Sequence, residues 1–282
     1  MISGFFQNLY QALGQAVFPP KCLVCRTFFQ PPGRDADMDS KPADGYASAR
    51  PPSLRNQFDR LLAYYLCPVC IRGMVAVESP ICVCCGFPFK SRQGDDRPCG
   101  DCIVSPKKFR IARAPLVYEQ ILTSVIHCFK YKGKIQLAAP LAELLQTTFR
   151  RFWDQDSIDM IMPVPLHIKR LRKRGFNQAY LLVRNWNKAA GQNPTGRPGL
   201  RIERDVLVRT VSTAPQSSLG RAERAANIKN AFTLTDPDRI IGKRILLVDD
   251  VYTTGATVDE CARILLKFGA EHVDILTLAR AV

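Results

Sequence analysis

The sequence predicts an α/β protein: a parallel sheet with helices on both faces, preceded by a small Cys-rich zinc-binding module. Three observations lead there. From about Phe109 onward, apolar runs of strand length alternate with segments of helical period, the pattern of a parallel sheet with helical crossovers. Four C-x-x-C pairs lie within the first hundred or so residues. Finally, RILLVDDVYTTGATVDECARILLKFGA, Arg244 to Ala270, drives an apolar strand into two adjacent acids, then a Thr-Gly turn, then a helix. Neighbouring carboxylates repel, and a helix start built of hydroxyls and glycine leaves backbone N–H groups open. Such a stretch costs stability unless something binds there.

In chain order, residues 1–18 place Ile2, Phe5, Phe6, Leu9, Leu13 and Val17 at helical spacing. They read as an N-terminal amphipathic helix packed on the rest of the chain, with a membrane-surface or partner helix as the rival. The segment lacks the basic start and unbroken apolar stretch of a secretory signal, and no apolar run reaches the roughly 18–20 residues of a membrane span. The expected location is cytoplasmic, where the eleven cysteines serve as thiolates rather than disulfides.

Residues 19–107 form the expected double zinc-ribbon-like module. The pairs are Cys22/Cys25, Cys67/Cys70, Cys82/Cys85 and Cys99/Cys102. Each C-x-x-C turn aims two sulfurs at one point, and zinc takes four ligands tetrahedrally. Sequential pairing gives Cys22/Cys25/Cys67/Cys70 and Cys82/Cys85/Cys99/Cys102; an interleaved arrangement satisfies the same spacing, so the expectation is one or two structural zinc ions. A redox dithiol is the rival for a single pair. Closed all-Cys sites leave no coordination position open, which points to structure rather than catalysis. Gly86 supplies a tight turn after CVCC, and Cys84, Cys128 and Cys261 are left over, Cys261 as packing in a helix. A disordered insert of about 30–58, rich in Pro, Asp, Ser and Arg, interrupts the first unit.

Residues 108–282 carry the α/β pattern. RIARAPLVYEQ alternates like a strand, and ILTSVIHCFKYKG is helical up to Gly133. IQLAAPLAELLQTTFRRFW lines Leu137, Leu141, Leu144, Leu145, Phe149 and Phe152 on one face of a second helix. DMIMPVPL is a strand ending at prolines, NQAYLLVRNWNKAAG a helix closed by Gly191, and RDVLVRTV a short strand. STAPQSSLGRAERAAN is polar and loop-like; RILLVDD is a buried strand, TVDECARILLKFGA a helix capped at Gly269, and HVDILTLARAV the closing strand.

Charge adds a functional hint. The chain carries a net +15, and Met160 to Ile202 contains no acid at all while holding Lys169, Arg170, Arg172, Lys173 and Arg174 among its cations. Such a surface faces polyanions. At the carboxyl end of the RILLVDD strand, where open parallel sheets bind ligands, the N–H groups, Thr hydroxyls and helix dipole after it suit one phosphate. Asp249 and Asp250 suit two vicinal hydroxyls, as on a ribose, or water held on Mg²⁺. No G-x-x-x-x-G-K-[ST] loop is present. A phosphoacceptor acid pair of the response-regulator kind lacks the Thr-Gly-Ala-Thr turn.

ILLVDDVYTTGAT, Ile245 to Thr257, resembles the phosphoribosyl pyrophosphate (PRPP) motif of type I phosphoribosyltransferases. The wider chain resembles the ComF family of competence-associated, phosphoribosyltransferase-like proteins, through FKYKG (Phe129–Gly133), PVPLHIKRLRKRGFNQA (Pro163–Ala179), VRTVSTAPQSSLGRAERAANIKNAF (Val208–Phe232) and the leading C-x-x-C pairs. The resemblance implies a type I phosphoribosyltransferase-like sheet, with Asp249 and Asp250 as the catalytic pair that holds the ribose hydroxyls and helps seat Mg²⁺. It implies that Thr253, Thr254, Gly255, Ala256 and Thr257 wrap the 5-phosphate. Lys169, Arg170, Arg174 and Asn177 would lie on the pyrophosphate side, with Lys130 a further contact and Gln216, Arg221 and Arg224 on a mobile loop. The implied activity is pentosyl transfer from PRPP, associated with DNA uptake, natural transformation or use of external DNA. The alternative is a non-catalytic PRPP- or nucleotide-sensing protein that binds single-stranded DNA and serves the DNA-uptake machinery. His167 reads as a surface or turn residue, and Phe176 and Trp186 as core rather than stacking platforms.

Overall fold

A computed structural model describes residues 19–32, 54–91, 93–186, 200–211 and 228–282. The readings made for residues 1–18, for most of the insert and for Gln216, Arg221 and Arg224 fall outside them. Helix α1 (Leu54–Leu62) begins inside the stretch expected to be a loose insert, so that stretch ends at least four residues before Phe58, which is buried. Two short helices follow, α2 (Pro68–Arg72) and α3 (Gly100–Val104), each with a cysteine at its N-cap and another in its first turn.

The α/β region runs β1 (Ala112–Arg113), β2 (Leu116–Val117), α4 (Gln120–Tyr131), α5 (Ala138–Phe152), β3 (Met160–Pro163), α6 (Ile168–Arg174), α7 (Gln178–Val183), β4 (Arg201–Ile202), β5 (Leu207–Arg209), β6 (Phe232–Leu234), β7 (Arg244–Tyr252), α8 (Ala256–Lys267) and β8 (His272–Arg280). The main sheet is parallel at every pairing, ordered β1–β8–β7–β3–β4, with β2 also on β8. The expected strand at 110–120 is split because Ala114-Pro115 interrupts the ladder, proline having no N–H to donate. The reading of RDVLVRTV as a strand holds, but β5 pairs antiparallel with β6 in a separate two-stranded ribbon rather than joining the main sheet.

The centre of the sheet is as apolar as its sequence. Ile245, Leu246, Leu247 and Val248 are all fully buried, which a strand achieves only when both faces are covered. Ile245 and Leu247, with Val273 and Ile275 of β8, pack with Val258, Cys261, Ala262 and Leu265 of α8. Leu246 and Val248, with Leu276 and Leu278, pack with Phe129 of α4, Leu141 and Leu145 of α5 and Leu182 of α7. Helix α5 tolerates Pro140 because it lies in the first turn, where the N–H is unused. At its other end Trp153 Nε1 donates to the buried Asp274 carboxylate at 2.7 Å, which Arg110 Nε also reaches at 2.9 Å.

The cysteine-rich segment is continuous with these cores. Cys22, Cys67 and Cys70 belong to the apolar cluster on one face of the sheet, and Cys82, Cys85, Cys99 and Cys102 to the cluster on the other. The two knuckles repeat one another: Arg26 N–H donates to the Cys22 carbonyl and Gly86 N–H to the Cys82 carbonyl, each at 3.0 Å. Both turn residues have positive φ, 64° at Arg26 and 65° at Gly86. Only the second has to be glycine. It is pressed against β1, where a Cβ would come within 2.6 Å of the Ala112 carbonyl oxygen, whereas the first knuckle accepts an arginine.

Candidate functional site

Register places the site. Pro163 at the end of β3 pairs with Val248, and Val164 N–H donates to the Val248 carbonyl at 2.8 Å. Asp249 and Asp250 therefore come at the level where β3 gives way to its loop, while β7 continues beside β8 to Tyr252. Gly255 then takes φ 80° and α8 starts at Ala256. Glycine is required here: any Cβ would overlap the Tyr252 hydroxyl. Thr254 Oγ1 accepts from the Ala256 N–H at 3.4 Å, and Ala256 and Thr257 form the first turn of the helix.

The acid pair is held by the protein's own groups. Lys130, in the last turn of α4, donates to Asp250 Oδ1 at 2.7 Å, with side chains 20% and 10% exposed. Asp249 Oδ1 accepts the Asp250 backbone N–H at 2.8 Å. Burial first, and the Asp250 charge second, push the Asp249 carboxyl up to about 7, against the pull of Lys130, the Asp250 N–H and Arg209. Burial works against the charge on Lys130, but Asp250 and Asp249 hold its pKa above the ordinary lysine value, with Arg174 opposing. A carboxyl pair in this state gains from an added cation or from hydroxyl donors. The chemistry of the donor set therefore fits Mg²⁺, an oxygen-seeking ion that is commonly held by one or two carboxylates plus substrate phosphates.

The basic segment surrounds this point unevenly. Helix α6 has no buried residue; Lys169, Arg172 and Lys173 are exposed, and Arg170 and Arg174 half-buried. Arg174 lies over the Tyr131 ring at 4.8 Å and senses Lys130. Arg170 faces Arg209 of β5, whose guanidinium is kept below its usual pKa by burial and then by Arg170. The Lys169 backbone N–H donates to His167 Nδ1 at 3.2 Å while its side chain is exposed. Asn177 is used structurally: Nδ2 donates to the Val164 carbonyl at 3.0 Å, and Oδ1 accepts from Tyr180 N–H at 3.4 Å as the cap of α7. Its role is to hold the loop after β3 against α7. His167 is buried as the cap of α6, not on the surface. Phe176 packs beside Phe129 and Trp186 beside Phe149, both as core.

Three residues near the site escaped the sequence reading. Arg209 shares the buried face of β5 with Leu207, a period of two that marks it as inward-facing. Tyr252 lies under Gly255, and burial pushes its phenol well above the ordinary tyrosine value. Arg280 ends β8, a strand buried from Val273 onward; a charge at the end of such a run is itself a signal.

The cysteines form two tetrads, Cys22/Cys25/Cys67/Cys70 and Cys82/Cys85/Cys99/Cys102, and in each the four sulfurs lie within 4.8 Å of one another. Sequential rather than interleaved pairing is what the chain adopts. Cys25 and Cys67 sulfurs are 3.6 Å apart, as are those of Cys85 and Cys99. A disulfide needs about 2 Å, whereas four sulfurs about 2.3 Å from one zinc stand about 3.8 Å apart. Burial, and then the charge of Cys85, push the Cys102 thiol up. Burial does the same to Cys82, but the N–H groups of Cys85 and Cys99 outweigh it and bring the thiol down to about 7. One ready thiolate among reluctant neighbours is the state a central dication resolves. Both tetrads can hold a metal ion. Among the described residues, no helix is long and apolar enough to cross a membrane.

Comparison with known proteins bears on the family and the fold. The phosphoribosyl transferase domain family matches residues 201–281. A DNA utilization protein YhgH of Escherichia coli is 32% identical over 220 residues, covering 77% of this chain and 91% of the relative. Competence protein F of Haemophilus influenzae is 29% identical over 231 residues (77% and 97%), and competence protein ComFC of Bacillus subtilis 28% over 223 (77% and 84%). A solved purine phosphoribosyltransferase from Pyrococcus horikoshii covers 50% of this chain and 71% of its own at 16% identity and a TM-score of 0.28, too low to bear on the argument. With the sheet order, the acid-pair strand and a relative of this similarity spanned almost end to end, the chain belongs to the ComF family, competence-associated proteins built on a phosphoribosyl transferase domain.

Proposed function

We propose that the carboxyl edge of β7 binds PRPP with Mg²⁺, and that the chain transfers the phosphoribosyl group to an acceptor in the context of DNA uptake. The observation that carries this reading is the convergence of four features at one sheet edge: paired acids, a half-buried lysine on one of them, a left-handed glycine turn, and the start of a twelve-residue helix. Asp249 and Asp250 accept hydrogen bonds from the vicinal ribose hydroxyls. The N–H groups, hydroxyls and helix dipole of Thr253, Thr254, Gly255, Ala256 and Thr257 take the 5-phosphate. Lys130 orients Asp250 through their 2.7 Å ion pair, and Arg170, Arg174, Lys169 and Arg209 meet the pyrophosphate. Mg²⁺, when bound, supplies neutralisation of the departing charge. In the transfer, the bond from C1 to the pyrophosphate oxygen breaks as an acceptor lone pair closes on C1, through an oxocarbenium-like transition state. Residues 19–107 act as a module held by two structural zinc ions and folded onto the phosphoribosyltransferase-like unit 108–282.

The test is release of pyrophosphate from PRPP by the purified chain with Mg²⁺ and a panel of bases and amines, wild type against Asp250→Asn. Turnover in the wild type, lost in the variant with its zinc content unchanged, supports transfer. No pyrophosphate from any acceptor removes the transfer step and leaves binding alone. A second reading has its own observation: α6 is a basic helix with no buried residue, and relatives carry the names DNA utilization protein and competence protein. In that reading the chain senses PRPP and binds single-stranded DNA through α6. DNA affinity that does not fall steeply with salt rules it out.

A further inference from the structure

Arg280 closes β8 directly opposite Tyr252, and the following Ala281 N–H donates to the Tyr252 carbonyl at 2.8 Å. It is 7% exposed, a costly place for a group that does not deprotonate. Each of its three nitrogens nonetheless has a partner. Nε donates to the Cys85 carbonyl at 3.1 Å, Nη1 to the Thr253 carbonyl at 3.0 Å and also to the Ala281 carbonyl, and Nη2 lies 3.6 Å from Cys85 Sγ. Its central carbon is 4.2 Å from the Tyr252 ring centroid and 5.4 Å from that of Phe87.

A buried cation needs negative charge nearby. Among the described residues, the hydrogen-bond partners of Arg280 are carbonyls and one cysteine sulfur, with no carboxylate. The group it faces is Cys85 of the second tetrad; loaded with one dication, four thiolates would carry a net charge of about −2. The same guanidinium holds Thr253, the first residue of the phosphate turn. Beneath that turn the Tyr252 ring, edge-on to Phe109 at 6.1 Å, sets its hydroxyl against Gly255. One side chain thus spans from a metal ligand to the backbone that faces the ligand.

We propose that Arg280 is a positioning residue that transmits the metal occupancy of the second tetrad to the turn Thr253–Gly255, so that the turn holds its binding geometry only when that tetrad is loaded. This rests on the reading of that turn as the 5-phosphate loop. The first tetrad lies in the other apolar cluster and does not share the effect.

Hydrogen exchange at amides 253–257 of the full chain tests the coupling without any ligand. Arg280→Lys keeps the charge but loses the planar fork. With metal analysis showing both tetrads loaded, it raises exchange at this turn about tenfold. Cys102→Ser, which removes a ligand that Arg280 does not touch, and chelation of the wild-type metal raise it equally, while Cys25→Ser in the first tetrad changes it less than about twofold. PRPP affinity measured with Mg²⁺ falls in the same order. Wild-type exchange in Arg280→Lys overturns the proposal, as does equal loosening by Cys25→Ser. If Cys102→Ser does not fold, Arg280→Lys and chelation decide. If the wild type binds no PRPP, the phosphate-loop reading fails, while the exchange data still decide the coupling.

Discussion

Strand β7 carries a carboxylate arrangement at each end, and the two are treated in opposite ways. At the amino end, Arg244 donates to Asp159 from Nε at 3.0 Å, from Nη2 at 2.8 Å and from its backbone N–H at 2.9 Å. Those bonds bring the Asp159 carboxyl down to about 2. At the carboxyl end, burial and Asp250 push Asp249 up to about 7. One end is closed by a bidentate partner and contributes to stability. The other is held short of satisfaction, with one lysine between two acids, in a place where the backbone turns sharply and a helix begins. Strain of this kind concentrates where ligands bind.

The largest expected effect is at the carboxyl end. Asp250→Asn lowers affinity for PRPP with Mg²⁺ by about 100-fold or more, since it breaks a buried charge pair. Zinc content stays at the wild-type level, and simultaneous loss of zinc would make the aspartate a structural residue. Next comes Gly255→Ala. Its methyl group meets the Tyr252 hydroxyl and its φ is unfavourable, so PRPP affinity falls about 10- to 100-fold by titration. An unchanged affinity would place the phosphate elsewhere.

Proton dependence differs in sign between the two ends. Asp249 lies among Asp250, Lys130, Arg209 and the buried Cys261. Because its folded pKa is raised, its ionisation costs stability increasingly as pH climbs from about 4 to about 7. A cation-assisted ligand recovers that cost, so PRPP–Mg²⁺ affinity rises up to about tenfold between pH 6 and 7 and levels off above. Asp159 is depressed, so its contribution is present above about pH 4 and lost as pH falls toward 2. The smallest effect is Asp159→Asn, a pair about a third exposed. It lowers Tm by about 2–4 °C at neutral pH and leaves PRPP affinity unchanged. A change in affinity there would mean that the two ends are not independent.

The sequence was legible where chemistry leaves few options. Apolar residues on both faces of RILLVDD demand a central parallel strand, and C-x-x-C spacing demands a shared centre; both appear as expected. The turn from Thr253 to Gly255 was readable because a glycine and hydroxyls at that point have few other uses. Less was legible where tertiary register decides. Nothing local says that Tyr252 and Arg280, far apart in the chain, lie side by side, or that Arg280 reaches Cys85. Arg209 sits in a ribbon outside the main sheet, which no periodicity in RDVLVRTV distinguishes from a sheet strand. Asn177, which the resemblance puts on the pyrophosphate side, is also the cap of α7, a use that an asparagine just before a helix commonly has. The Pro-rich composition that marks the insert gave no sharp end point, because α1 begins among residues of similar polarity.

The most direct test of the central claim is calorimetric titration of the full chain with PRPP at pH 8, with and without Mg²⁺, beside a variant carrying Asp249→Asn and Asp250→Asn together. The account predicts one PRPP per chain, binding that requires Mg²⁺, and no measurable heat in the double variant with both zinc ions retained. Wild-type binding that ignores Mg²⁺, or that survives in the double variant, would contradict it.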